Sequence, residues 1–130
     1  MHTVPEDDVA REIVDAAFKI HTTLGPGLLE SVYQIVLAHE LEQRGFRVQR
    51  EVPIGIRYDK LQFDVGFRAD LIINENVIVE LKSVEQEAPV HKKQVLTYIR
   101  LAGLRLGLLI NFGAPRIKDG ITRLANRLPE

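Results

Sequence analysis

An α/β fold, with one mixed β-sheet flanked by helices in the order ααβββαβ, follows from three observations in this sequence. The first third places its apolar residues at helical spacing. Residues 48 to 82 switch to the two-residue period of strands. Pro89 then opens another helical stretch that leads into a dense aliphatic run. That is the pattern of a strand, a crossover helix and a parallel strand.

Each element can be justified in turn. Val9, Ile13, Ala17, Ile20 and Leu24 predict a helix over residues 6 to 24, and Gly25-Pro26-Gly27 breaks it. Leu29, Val32, Tyr33, Val36, Leu37 and Leu41 predict the apolar side of a second helix, ended by Gly45 in a left-handed cap. Val48, Val52, Ile54, Ile56 and Tyr58 are all even-numbered and read as a strand, with a bulge or sheet edge at Pro53. Asp59-Lys60 is a turn. Phe63, Val65, Phe67, Ala69, Leu71 and Ile73 then alternate along a second strand whose other face carries Asp64, Gly66, Arg68 and Asp70. A third strand runs from Val77 to Lys82. Pro89 suits the first turn of a third helix, which reaches about Ala102 on Val95, Ile99 and Ala102 and stops at Gly103. Leu104 to Phe112 reads as a buried strand parallel to its neighbour. The tail holds Arg116, Lys118, Arg123 and Arg127, with a turn at Asp119-Gly120.

A chain of 130 residues is sized for a single domain over residues 1–130. With 45% hydrophobic and 27% charged residues it has the material for a core, which excludes a disordered chain. No cysteine is present, so disulfides and cysteine-ligated metals are excluded. No apolar run reaches the ~18 residues of a membrane span, and the acidic start lacks a signal peptide's apolar segment. Together these features read as a cytoplasmic protein with no membrane partner. A net charge of −1 means that any nucleic acid must be held by a local basic patch. The sequence leaves the oligomeric state open, a homodimer included.

The segment Asp70 to Lys82 carries the chemistry. Asn74-Glu75-Asn76 is its one turn-like cluster. If Ile73 and Val77 close a hairpin there, residues whose numbers sum to 150 lie opposite one another. Asp70 then faces Glu80, and Arg68 faces Lys82. Glu80 and Lys82 share a face by alternation, and Asp70 joins them. Like charges opposite each other cost roughly 0.2–1 kcal/mol. A hard cation between the carboxylates reverses that penalty, and Mg²⁺ or Mn²⁺ prefers such oxygen ligands. The bland alternative is a solvated strand end.

Three further groups matter. Gly27, Glu30 and Tyr33 recur every three residues on the second helix, which sets Glu30 in the stripe of Leu29, Tyr33 and Leu37. There it is either a ligand or a first-turn acid favoured by the helix dipole. Gln94 and Tyr98 project on one side of the third helix, where an amide and a phenol could bind phosphates. His91, Lys92, Lys93 and Arg100 on that helix form the basic patch, or else a solvated face. The histidines at positions 2, 21, 39 and 91 lack metal-ligand spacing, and His21 is expected to cap carbonyls or fill an interface.

The series of acid, Glu-x-Lys and Gln-x-x-x-Tyr resembles the PD-(D/E)xK nuclease superfamily. Gly-Leu-Leu-Glu-Ser-Val-Tyr looks like the signature of its GxxExxY branch. The match runs from about Ile13 to Leu124, with Ala69 where a proline usually precedes the acid. The resemblance implies a restriction-endonuclease-like core. It implies Asp70 and Glu80 as metal ligands, Glu30 as an accessory acid and Lys82 as the catalytic lysine. Gln94 and Tyr98 correspond to the motif of RecB-like nucleases. The reading is a metal-dependent hydrolase of phosphodiester bonds, with DNA as substrate and Mg²⁺ or Mn²⁺ as cofactor. In it Gln94, Tyr98, Lys92 and Lys93 hold the substrate. The rivals are a non-catalytic module binding nucleic acid or protein on the same scaffold, and a hydrolase directed at RNA or nucleotides.

Overall fold

Two antiparallel helices cover one face of the sheet. The structure, a computed structural model, describes residues 5–126, so His2 and Arg127 lie outside it. Helix α1 (Glu6–Leu24) buries Val9, Ile13, Ala17 and Ile20, the predicted stripe, while Leu24 at its end is exposed. Helix α2 (Glu30–Gln43) buries Tyr33, Gln34, Leu37, Ala38 and Leu41. Ion pairs Lys19–Glu40 and Arg44–Asp15 tie the two together. Leu29 and Val32, expected in the core, are exposed instead, because the buried side of α2 is the narrower set centred on Leu37. Gly45 follows α2 with φ +91, a left-handed conformation that suits glycine.

The sheet has five strands in the spatial order β1-β2-β3-β4-β5. Strand β1 (Val48–Tyr58) lies at the edge and pairs with β2 (Leu61–Ile73) around the Asp59-Lys60 turn. The register irregularity falls between Ile54 and Ile56, beside Pro53 and not at it. Strand β3 (Val77–Lys82) pairs antiparallel with β2 through Ile73↔Val77, Ile72↔Ile78 and Leu71↔Val79, the register computed from the sequence. Helix α3 (Pro89–Leu101) crosses over to β4 (Leu106–Asn111), which runs parallel to β3.

The tail holds two elements beyond the expected order. A single-turn helix α4 (Ile117–Gly120) takes the place of the Asp119-Gly120 turn, and β5 (Ile121–Ala125) pairs antiparallel with β4. Strand β5 has only five half-buried or exposed residues, too few to show a period. Its conformation is imposed by the β4 edge.

The core has two layers. One packs α1 and α2 against Leu71, Ile73, Val79, Leu81, Leu108 and Ile110. The other packs α3 against Phe67, Ala69, Ile72, Ile78 and Leu109. Strict alternation would keep Ala69 and Leu71 on one face, as expected from the sequence. They lie in different layers, so β2 inverts at Asp70. Strand β1 inverts beside it, with Val48 in the first layer and Val52 in the second. Glu51 lies between them in a left-handed conformation, φ +51.

Candidate metal-dependent active site

The inversion at Asp70 opens the sheet where the acids stand. The β2–β3 ladder ends at Leu71↔Val79, so neither Asp70 and Glu80 nor Arg68 and Lys82 form the backbone pair expected of them, and Arg68 pairs only with Pro53 on the β1 side. Beyond that point the two carboxylates replace backbone acceptors. Asp70 N–H donates to the Glu80 carboxylate at 2.7 Å, and Leu81 N–H donates to the Asp70 carboxylate at 2.9 Å. Each acid is thus fixed by the other strand's end.

The electrostatics follow from this burial. Glu80 is 7% exposed. Burial pushes its carboxyl up to about 8, and the charge of Asp70 adds to the rise, against the opposing pull of the Asp70 N–H and Lys82. Burial also pushes the Asp70 carboxyl up, to about 6. The Leu81 N–H and Lys82 oppose that rise, while Glu30 and Glu51 add to it. The two carboxyls are hard oxygen donors held side by side, and Lys82, half-buried on the same strand, opposes the rise in both. The donor set fits a hard divalent cation. Among the described residues no three acids or histidines stand close enough to cage an ion unaided. Any remaining positions fall to backbone oxygens, water or substrate.

Glu30 sits on the same side of α2 as Tyr33 and Leu37, as the spacing predicts, but in the exposed first turn beyond the core. Its charge reaches both carboxyls. The segment before it is clamped twice. The Tyr33 phenol donates to the Gly25 carbonyl at 2.5 Å and accepts from Leu28 N–H at 3.2 Å. Its ring stacks on Phe112 with centroids 4.4 Å apart. Ser83, next to Lys82, donates through Oγ to the Leu28 carbonyl at 2.5 Å. Gly25 and Gly27, at φ +75 and +100, allow that loop its path. In Gly-x-x-Glu-x-x-Tyr, then, the tyrosine is a core residue that fixes the loop presenting the acid.

Tyr98 is brought to the site. It stacks on Phe67 at 3.9 Å, and its phenol is raised by burial and by the charges of Glu80 and Asp70. Gln94 lies one turn earlier on α3, exposed, as are Lys92 and Lys93. His21 bonds through Nε2 to the Ala114 carbonyl at 2.9 Å, the carbonyl-binding role expected of it.

Two contributors were missed. Asn111 is 2% exposed and clamps the segment after Lys82: its Oδ1 accepts from Val84 N–H and Gly113 N–H, and its Nδ2 donates to the Val84 carbonyl. A lone amide at the end of an aliphatic run was the available signal, since a buried amide needs partners. Glu51 faces Asp70 from the edge strand and accepts from buried Gln34 at 3.1 Å. Its place in a polar-facing position of β1 gave no sign of this.

The profile of the PD-(D/E)XK nuclease superfamily matches residues 7–124. The chain belongs to that superfamily. Nucleases of the PD-(D/E)XK superfamily typically use divalent metals and act on nucleic acids, and the mixed sheet seen here is consistent with their fold. A search of curated proteins finds no match. A solved structure described as "Crystal structure of SSO0001" shares 17% identity at a TM-score of 0.48, over 93% of this chain and 79% of that one, a likeness too distant to carry function. No helix among the described residues is long and apolar enough to cross a membrane.

Proposed function

We propose that this chain is a Mg²⁺- or Mn²⁺-dependent nuclease that hydrolyses phosphodiester bonds in DNA. The observation that carries the reading is the mutual burial of Asp70 and Glu80, each raised above the ordinary carboxyl range, with Lys82 on the same strand. Asp70 and Glu80 would hold the cation, with Glu30 of α2 bearing on it through its charge from beyond the pair. When bound, the cation neutralises phosphate charge and lowers the pKa of an attacking water.

The chain's own groups then have separable tasks. Asp70 and Glu80 are positioned before any ligand arrives, because their backbone partners already fix them. The Lys82 ammonium orients the nucleophilic water and stabilises charge that develops on the phosphate. Gln94, Lys92 and Lys93 lie on the exposed side of α3 and Tyr98 at its inner edge, where they contact the substrate backbone. The Gly27, Glu30 and Tyr33 series supports placement in the GxxExxY branch.

The test is cleavage of single- and double-stranded DNA and RNA with Mg²⁺ or Mn²⁺, repeated with chelator and with Lys82→Ala. The reading expects metal-dependent cuts in DNA that chelation and Lys82→Ala each abolish. Binding without cleavage across several divalent metals would replace it with a non-catalytic module. Cleavage confined to RNA would redirect the same site.

A further inference from the structure

Four non-glycine residues among the described residues have a positive φ, and three of them, Asp59, Asn74 and Glu75, stand in hairpin turns. The fourth, Glu51, stands inside a strand. Pairing of β1 with β2 runs to Arg50↔Leu71 and resumes at Val52↔Ala69, so the rung between falls to Glu51 and Asp70. The register is the same on both sides of that rung. No residue is inserted, and the two strands turn over together, from the α1 and α2 layer at Val48 and Leu71 to the α3 layer at Val52 and Ala69. The unusual backbone is taken by Glu51, at φ +51, and not by Asp70. Glycine, asparagine or aspartate would accept that conformation more readily. An acid there also faces Asp70, a like charge across the sheet. Stability alone therefore does not account for a glutamate at this rung.

The side chain has a use. Glu51 Oε1 accepts from Gln34 Nε2 at 3.1 Å. Gln34 is 7% exposed, on the side of α2 that carries Leu37 and Ala38 to the core, and a buried amide needs a partner. It stands one turn after Glu30, so the bond ties the helix bearing that acid to the strand beside Asp70. We infer that Gln34 and Glu51 are positioning residues for the Asp70 carboxylate: their bond anchors the turned-over rung of β1 to α2, and β1 holds β2 in the same state. The matched inversion carries the argument. A strand that turned over without its neighbour would present its side chains to the wrong layer, so what fixes Glu51 also fixes Asp70. Leu81 N–H and the Glu80 carboxylate meet Asp70 just where the β2–β3 ladder has ended, and a shifted rung would part both contacts. For its bearing on catalysis the inference rests on Asp70 being a cation ligand; its structural half rests on the geometry alone.

Gln34→Leu fills the place of the amide without a donor. Glu51→Ala removes the acceptor from an exposed position, and serves should the first variant fail to fold. Each should weaken Mn²⁺ binding, read by calorimetry on the full chain, by about 10–100-fold. The two together should lose no more than either alone, since the same bond is removed in each case. Glu51→Gln, whose amide oxygen still accepts from Gln34, should bind Mn²⁺ within a few-fold of the native chain. In metal-free hydrogen exchange the Asp70 and Leu81 amides should exchange several-fold faster in Gln34→Leu and in Glu51→Ala, with the β4 amides unchanged. A buried amide that only needed a partner would move the unfolding midpoint and neither of these readings. Folded variants with native exchange rates or native Mn²⁺ affinity, additive losses in the double variant, or a loss in Glu51→Gln as large as in Glu51→Ala overturn the proposal. A native chain that binds no Mn²⁺ defeats the metal-site reading instead, and the exchange rates then decide this one.

Discussion

The hairpin of β2 and β3 has two ends made of opposite materials. At the turn end, Ile72 faces Ile78 and Ile73 faces Val77, all buried and all apolar, in an unbroken ladder. A few residues along, at Asp70 and Glu80, the ladder stops, the strand inverts and two carboxylates take over as hydrogen-bond acceptors. The first end lowers free energy by removing apolar area from water. The second raises it, since charged groups are held where water is scarce. The difference separates what holds this fold together from what its surface is prepared to do, within one pair of strands.

The comparison is broken most severely at the apolar end. Ile78→Ala should destabilise the protein by about 2–5 kcal/mol, because Ile78 has no exposed surface and the cavity cannot collapse freely. Denaturant unfolding measures the loss, while cleavage per folded molecule should be retained. Lys82→Ala should do the reverse. Cleavage should fall by about 10²–10³-fold, the share of one preorganised electrostatic group, with little change in the unfolding midpoint and with Mn²⁺ binding retained.

A third experiment sharpens the cost of the polar end. Glu80 has an ordinary pKa of 4.5 and about 8 in the folded protein. Between those values the folded state keeps a proton that the unfolded chain has released. The carboxyl therefore makes stability fall as pH rises from about 4.5 to about 8. Glu80→Gln keeps an acceptor for Asp70 N–H and removes the charge. Without divalent metal at pH 8 it should be more stable than the native chain, with a shallower pH slope, because the cost of ionising a buried carboxyl is gone. Added Mn²⁺ should raise the melting temperature of the native protein and not of Glu80→Gln. A native chain whose stability is flat between pH 5 and 8 (the window set by the two pKa values) would sink this account of the acids.

The smallest expected effect is at the loop clamp. Tyr33→Phe keeps the stack on Phe112 but leaves the Gly25 carbonyl and Leu28 N–H without the phenol. A loss of about 1 kcal/mol is expected, with weaker Mn²⁺ binding by calorimetry if Glu30 is a ligand. Equal binding would remove Glu30 from the set.

What could be read from the sequence divides along the same line. The turn at Asn74-Glu75-Asn76 sets the register because it is the only local break between two apolar runs, and register then places Asp70 near Glu80 without further information. The strand inversion is not local. It depends on Glu51 in the neighbouring strand adopting φ +51, which no period reveals. Strand β5 escaped because its conformation is supplied by β4. Leu29 and Val32 were misassigned because α2 is apolar on both sides, and spacing alone cannot say which side meets the sheet. Asn111 showed only as a polar residue closing an aliphatic run.

The crossover between β3 and β4 has a consequence for the order of assembly. A short turn joins β2 to β3, and hairpins of that kind close within microseconds. The β3–β4 pairing must wait for α3 and β4, and contacts so distant along the chain form late. The Asp70–Glu80 contact is local in the chain, whereas the segment after Lys82 is pinned by Asn111 from beyond the crossover, so the acids of the site rest on near neighbours and the seat of its lysine on a distant one.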